Sequence, residues 1–252
     1  MAETTAIEWC DGTLNFWIGC TEVSNGPKGA CTNCYARTWA NRFPLYRGTW
    51  GPSAPRHKTA GALAKAMKME RIALKTGRPY FCFSNSLGDI FDNQVPIEWL
   101  REAFEVMRAT PHVTYLLLTK RPQNIVKRSL SAGSLPPNAA VGATMVTQFE
   151  YDRDAPVLAQ ARALLNPRFT FGSFEPMQGP VILDDYAPDQ IIVGGESGAD
   201  ARAMDLDWAR SMLRQAGELG RVFNFKQVGG RGSDKGGHTL DGVTHFDRPV
   251  IA

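Results

Sequence analysis

Cys20, Cys31 and Cys34 stand in the run Gly19-Cys20-Thr21 … Ala30-Cys31-Thr32-Asn33-Cys34-Tyr35-Ala36. A Cys-x-x-Cys pair lets two thiolates converge on one metal or cluster from a single turn. The third cysteine lies ten intervening residues upstream, behind a Ser-Asn-Gly-Pro-Lys-Gly loop that is able to fold it back onto the pair. Three thiolates with no evident fourth ligand suit a cubane [4Fe–4S] cluster whose last iron stays open. A structural zinc site wants four closed ligands, and the nearest histidine, His57, lies 23 positions past Cys34. A thioredoxin-type redox pair would leave Cys20 idle. Five cysteines is an odd count, and no apolar signal segment opens the chain, so a disulfide framework is disfavoured and a reducing cytoplasm is expected. Cys10 and Cys82 read differently. Cys82 lies inside Tyr80-Phe-Cys-Phe83, where a small buried thiol is the ordinary expectation.

These residues need elements to position them, and the chain supplies a regular alternation. Strands are expected at Leu14 to Cys20, Pro79 to Ser84, Val113 to Lys120, Ala139 to Thr144, Phe169 to Phe174, Gln190 to Gly194 and Val222 to Lys226. Helices are expected at Tyr35 to Arg42, Ala60 to Lys75 (with Leu63, Met67, Ile72 and Leu74 giving the periodicity), Ile97 to Ala109, Gln123 to Leu130, Ala155 to Leu165 and Trp208 to Leu219. Strands that are nearly all apolar belong in a parallel sheet covered on its faces. The expected fold class is α/β, a complete or partial (β/α) barrel of about 6–7 parallel strands. We expect one domain over 1–252, with a cysteine loop at 20–34 and a polar extension at 229–252.

Active sites of such barrels form at the carboxyl ends of the strands, and polar residues recur there. They are Cys20, Ser84-Asn85-Ser86 with Asp89, Lys120, Thr144, Ser173 with Glu175, the glycine-rich Gly194-Gly195-Glu196, and Lys226. Lys120 leaves the apolar Leu116-Leu-Leu118 run directly into the mouth, placed to meet a substrate carboxylate or phosphate, or else merely Glu175 or Asp89. The glycines let backbone N–H groups approach a ligand. Glu196 is placed to meet a ribose hydroxyl or an ammonium group, or else is a solvated turn residue.

At 252 residues and 43% hydrophobic content the chain has material for a large core, and no apolar run approaches the ~18 residues a membrane span needs. The net charge of +3 argues for no polyanion by itself. One segment does mix cations with aromatics, from Arg42 through Tyr46, Arg47 and Trp50 to Lys58. That combination serves single-stranded or flipped-base nucleic acid, and alternatively a loop packed over the barrel mouth.

A three-cysteine cluster loop after the first strand of a (β/α) barrel resembles the radical S-adenosylmethionine superfamily. Cys31-Thr-Asn-Cys34-Tyr35 is similar to the closing half of the motif in spore photoproduct lyases. The spacing between Cys20 and Cys31 is longer than in that superfamily, and Ser84-Asn-Ser86 stands where Gly-Gly-Glu is usual. The whole chain resembles the phage-associated three-cysteine-motif family. The resemblance runs through Ile7-Glu-Trp9, Asn15, Gly19-Cys20, Cys31-x-x-Cys34-Tyr-Ala36, Asp89-Ile-Phe91, Leu118-Thr-Lys-Arg-Pro122, Ser173-Phe-Glu-Pro176, Gly194-Gly-Glu-Ser-Gly198 and Lys226-Gln227.

The resemblance implies a barrel of radical S-adenosylmethionine type. Cys20, Cys31 and Cys34 would ligate a [4Fe–4S] cluster. Ser84, Asn85, Lys120, Thr144, Glu175, Gly194, Gly195 and Glu196 would hold S-adenosylmethionine, and Tyr35 or Cys82 would relay hydrogen. The implied activity is reductive cleavage of the cofactor to a 5′-deoxyadenosyl radical that abstracts hydrogen from a substrate, with an external electron donor. A damaged or modified nucleic-acid base is the expected substrate, met by Arg42, Tyr46, Arg47, Trp50 and Lys226, and a protein partner encoded nearby is a further expectation. Two alternatives stay open. One is a metal-binding nucleic-acid interaction module without radical chemistry; the other is a metal-assisted hydrolase using Asp89, Glu175 and Glu196.

Overall fold

The computed structural model describes residues 7, 9–23, 26, 28–232 and 234–251. Glu8 of the Ile7-Glu-Trp9 motif, and Ser24, Asn25 and Pro27 of the cysteine loop, lie outside the described residues. Seven strands form one parallel sheet: β1 (Gly12–Leu14), β2 (Tyr80–Ser84), β3 (Val113–Thr119), β4 (Ala139–Thr144), β5 (Thr170–Phe174), β6 (Gln190–Gly194) and β7 (Val222–Gln227). Each pairs in parallel with the next in chain order. β1 and β7 do not pair, so the sheet is a curled half-barrel and not a closed barrel. The helices are α1 (Tyr35–Arg42), α2 (Ala62–Thr76), α3 (Ile97–Arg108), α4 (Ile125–Ser131), α5 (Gln148–Leu165) and α6 (Leu206–Glu218).

Strand alternation sorts the core into two bodies. One face meets the helices through Cys82, Tyr115, Val141, Phe174, Ile191 and Phe225. The other lines the inside with Phe81, Phe83, Leu116, Ala140, Phe171 and Ile192, and the amino-terminal Trp9 packs among them, 4.7 Å from the Phe83 ring and 6.0 Å from Phe171. Gly142 makes room for this plug, since a Cβ there would stand 2.5 Å from the Phe171 ring. The interior is therefore filled below by aromatic rings, and a cavity opens at the carboxyl ends of the strands.

Three expectations are corrected. The first sheet strand ends at Leu14, not at Cys20. Asn15 turns the chain out of the ladder by accepting the Leu87 N–H at 2.7 Å, and Trp17–Ile18 then pairs antiparallel with His57–Lys58. α2 buries Ala66, Met69, Glu70 and Ala73, while Leu63, Met67, Ile72 and Leu74 are exposed. Small alanines let the helix approach the sheet closely, so the bulkier residues mark the wrong face. α5 begins at Gln148, seven residues before the expected start. Thr147 caps it by accepting the Glu150 N–H, and Pro156 sits midway along it. Within the polar extension at 229–252, Thr239–Leu240 and Val243–Thr244 form a hairpin, and Phe225 N–H donates to His245 O at 2.8 Å. Among the described residues no helix is long and apolar enough to cross a membrane.

Candidate active site

A cavity of about 350 Å³ opens at the carboxyl ends of the strands. Such a volume falls in the range of small-molecule and cofactor sites. Trp9, Phe83 and Leu118 form its apolar floor; Cys20, Cys31 and Cys34 all line it, with Tyr35, Asn85, Lys120, Thr144, Glu175, Gly195, Glu196 and Lys226.

Two separate supports bring the cysteines there. Cys20 follows Gly19, whose φ of +115° and closeness to Thr49 O leave no room for a Cβ. Cys20 then bridges Trp50 and is held by Gly51 N–H donating to its carbonyl at 2.9 Å. Its sulfur lies 3.7 Å from Arg121 Nη1, and the same guanidinium pairs with buried Asp89 at 2.9 Å. Burial pushes the Cys20 thiol up to about 12; Asp89 adds to the rise and Arg121 opposes it. Cys34 is the N-cap of α1, so a thiolate there faces the positive end of the helix. Cys31 is buried one turn earlier. An ion pair between Glu22 and Arg37 joins the segment after Cys20 to the helix after Cys34.

The carboxylates are largely committed. Asp89 accepts from Thr119 Oγ1 at 2.7 Å, Phe91 N–H at 2.9 Å, Lys120 N–H at 3.1 Å and Arg121 Nη1 at 2.9 Å. Glu196 accepts a fork of bonds from Arg202 and one from Asn33 Nδ2. Burial would raise its carboxyl, but Arg202 and Asn33 outweigh that and hold it below the ordinary carboxylate value. Glu175 pairs with Lys226 Nζ at 2.7 Å and accepts from Ser173 Oγ at 3.2 Å. With their lone pairs so occupied, Asp89 and Glu196 are poor metal ligands, which disfavours the three-carboxylate hydrolase.

Other groups face the cavity without partners. Thr144 Oγ1 and Asn85 Nδ2 are buried and unbonded, and Lys120 makes no ion pair among the described residues. A buried polar atom left unpaired costs about 1–3 kcal/mol, so these atoms suit a polar ligand. The donor set thus fits an iron–sulfur cluster in kind: three free thiols on one cavity, with no histidine among the described residues that line it. As placed, however, no three His, Cys, Asp or Glu side chains among the described residues stand close enough together to hold a metal ion.

Several expected site residues fall elsewhere. Cys82 is fully buried on the helix-facing side of β2, with burial holding its thiol well above the usual range, so it is not at hand to relay hydrogen. Ser84 shares that side by alternation and does not line the cavity, and neither does Gly194, whose neighbour Gly195 does. Tyr35 lines it, its hydroxyl donating to Ser86 O at 2.6 Å. Of the basic–aromatic segment only Trp50 reaches the cavity. Tyr46 instead stacks on Trp39 at 5.4 Å and meets His57 edge-on, while Arg42 and Arg47 are exposed away from the lining. Sequence reasoning missed Asn33 and Arg202. Asn33 was visible inside the Cys-x-x-Cys pair as a polar residue with no ligand role; Arg202 carried no signal.

A family model described as a protein of unknown function (DUF5131) matches residues 4–249. No curated protein matches the sequence. Among solved structures, a cysteine-to-serine variant of spore photoproduct lyase is similar at 10% identity and a TM-score of 0.49, covering 86% of this chain and 64% of that one. A doubly substituted variant with bound AdoMet and dinucleoside spore photoproduct is similar at 11% identity and a TM-score of 0.45, covering 83% and 62%. The lyase complexed with dinucleoside spore photoproduct gives 11% and 0.45, covering 81% and 60%. This chain spans less than two thirds of the length of each of these lyase chains.

Proposed function

We propose that this chain, which belongs to the DUF5131 family of proteins of unknown function, is a radical S-adenosylmethionine enzyme. The observation that carries the reading is the arrival of Cys20, Cys31 and Cys34, from two separately supported segments, on one cavity at the carboxyl ends of a parallel half-barrel. In this reading the three thiolates hold a [4Fe–4S] cluster with one open iron. When bound, the reduced cluster supplies the electron that splits the sulfonium of S-adenosylmethionine into methionine and a 5′-deoxyadenosyl radical. The protein's own part is to bind, orient and exclude water. Lys120, without an ion pair among the described residues, would take the cofactor carboxylate or a substrate anion. Thr144 Oγ1 and Asn85 Nδ2 would bond to its ribose or base. Lys226, neutralised by Glu175, would orient a neutral polar group and not a second anion. Trp9, Phe83 and Leu118 give the reacting region a dry floor. A nucleic-acid base is the substrate class we assign, with Trp50 at the cavity wall as its stacking surface and Arg42 and Arg47 outside as phosphate partners.

Anaerobic reconstitution with ferrous iron and sulfide tests the reading. We expect a brown protein holding about four irons per chain that releases 5′-deoxyadenosine from S-adenosylmethionine under reductant. Cys34→Ala should lose both properties, and Cys82→Ala should keep the iron. A colourless protein with stoichiometric zinc would refute the assignment.

A further inference from the structure

Glu196 stands at the end of β6, 7% exposed, and its donors come from two directions. Asn33 Nδ2 reaches Oε2 at 3.0 Å, as do the Arg202 backbone N–H at 2.9 Å and Nε at 2.8 Å, while Arg202 Nη2 reaches Oε1 at 2.6 Å. The outer ends of this cluster lie on the cysteine loop. Asn33 sits between Cys31 and Cys34 and also donates to Asp200 O at 2.9 Å, and Arg202 Nη2 donates to Gly29 O at 3.1 Å. Both flanks of Cys31 are thereby tied, two residues before it and two after it, to a single carboxylate.

We propose that Glu196 is the positioning residue of the cysteine loop, a latch that holds Asn33 and, through Arg202, Gly29, and that it is not a ligand for cofactor or substrate. The role rests on the reading that this loop carries the cluster ligands. The segment from 21 to 34 has no helix or strand among its described residues, and Gly26 and Gly29 give it wide backbone freedom. Without the latch, more of that freedom would remain to be lost on metal binding, which would weaken it. Charge-assisted bonds through a guanidinium fork are strong and directional, which suits them to fixing a loop against a strand end. Asn33 has the chemistry this requires, since its amide donates to Glu196 and to Asp200 O at once, which an aspartate would not.

Backbone hydrogen exchange in the metal-free protein reads the latch directly. Glu196→Gln and Asn33→Ala should each speed exchange across residues 29–34 by about tenfold or more, leaving β3 unchanged. Asn33→Asp should loosen the loop further by placing two carboxylates together. After reconstitution, release of iron to a chelator should be faster in the loosened variants than in the wild type. Unchanged exchange at 29–34 in both Asn33→Ala and Glu196→Gln would overturn the proposal. Should Glu196→Gln loosen β3 as well, Asn33→Ala, a change in the loop alone, decides. If the wild type takes up no iron while Glu196→Gln still frees residues 29–34, the latch stands and the cluster reading fails.

Discussion

Buried charges at the mouth come as complete sets, and the sets explain which residues are free to react. Asp89, 4% exposed, has four donors on its two oxygens, and Arg121, 5% exposed, spends its guanidinium on Asp89, Cys20 and Thr21 O. Removing one partner of such a pair leaves the other uncompensated, at a cost of about 3 kcal/mol or more. Asp89→Asn should therefore lower unfolding stability in urea by that order and disturb Cys20 before any change in substrate contact. A loss below about 1 kcal/mol would show that water reaches the pair. At this scale the cysteines were legible because thiol spacing is itself chemistry. Glu196 was legible only as a polar residue at a strand end. Its true partner, Asn33, lies 163 positions away, a contact that exists only once the half-barrel has curled.

The strands were read nearly to their ends because each is a short run buried on both sides. Helix faces were less legible, since in α2 alanines carry the burial and larger residues face outward. The first strand was misplaced, since the apolar run from Leu14 to Cys20 shares only Leu14 with Gly12–Leu14, and only the long-range Asn15 to Leu87 bond shows where the chain leaves the sheet. Asp189, immediately before β6, carries no sequence signal, yet it ties neighbouring elements. It accepts from Thr170 N–H at 2.8 Å and Thr170 Oγ1 at 3.0 Å, and pairs with Arg162. Burial would raise its carboxyl, but these bonds prevail and hold it below the ordinary value. A carboxyl depressed in the folded state stabilises fully above its unfolded value and loses that contribution as pH falls through the folded one. Asp189→Asn should thus be less stable than wild type at pH 7 by about 1 kcal/mol. The gap should narrow as pH drops below about 4. Thermal melts of both proteins across acid pH check this, and a gap that widens in acid would contradict it.

For the molecule as a whole, the modest net charge of +3 says little about partners, and the distribution at the mouth says more. If a nucleic acid is the substrate, a labelled single-stranded oligonucleotide should bind with an affinity that falls as salt rises. Arg47→Ala should shallow the salt slope by about one. Trp50→Ala should cost about 1–3 kcal/mol of stacking without changing that slope. No salt-sensitive binding at micromolar protein would remove nucleic acid as the substrate class.

The open sheet has a mechanical consequence. A closed barrel has a circumference fixed by whole numbers, its strand count and its shear. Here the ring is interrupted, and the described residues lace the gap with side chains. At the lower rim Arg248 pairs with Asp11 at 2.9 Å and covers the Phe81 ring, and at the upper rim the cysteine loop is tied to the end of β6. Side-chain ties have lengths and not integers. The bore of this molecule is accordingly a continuous quantity, one that a single substitution across the seam would retune without unzipping a strand.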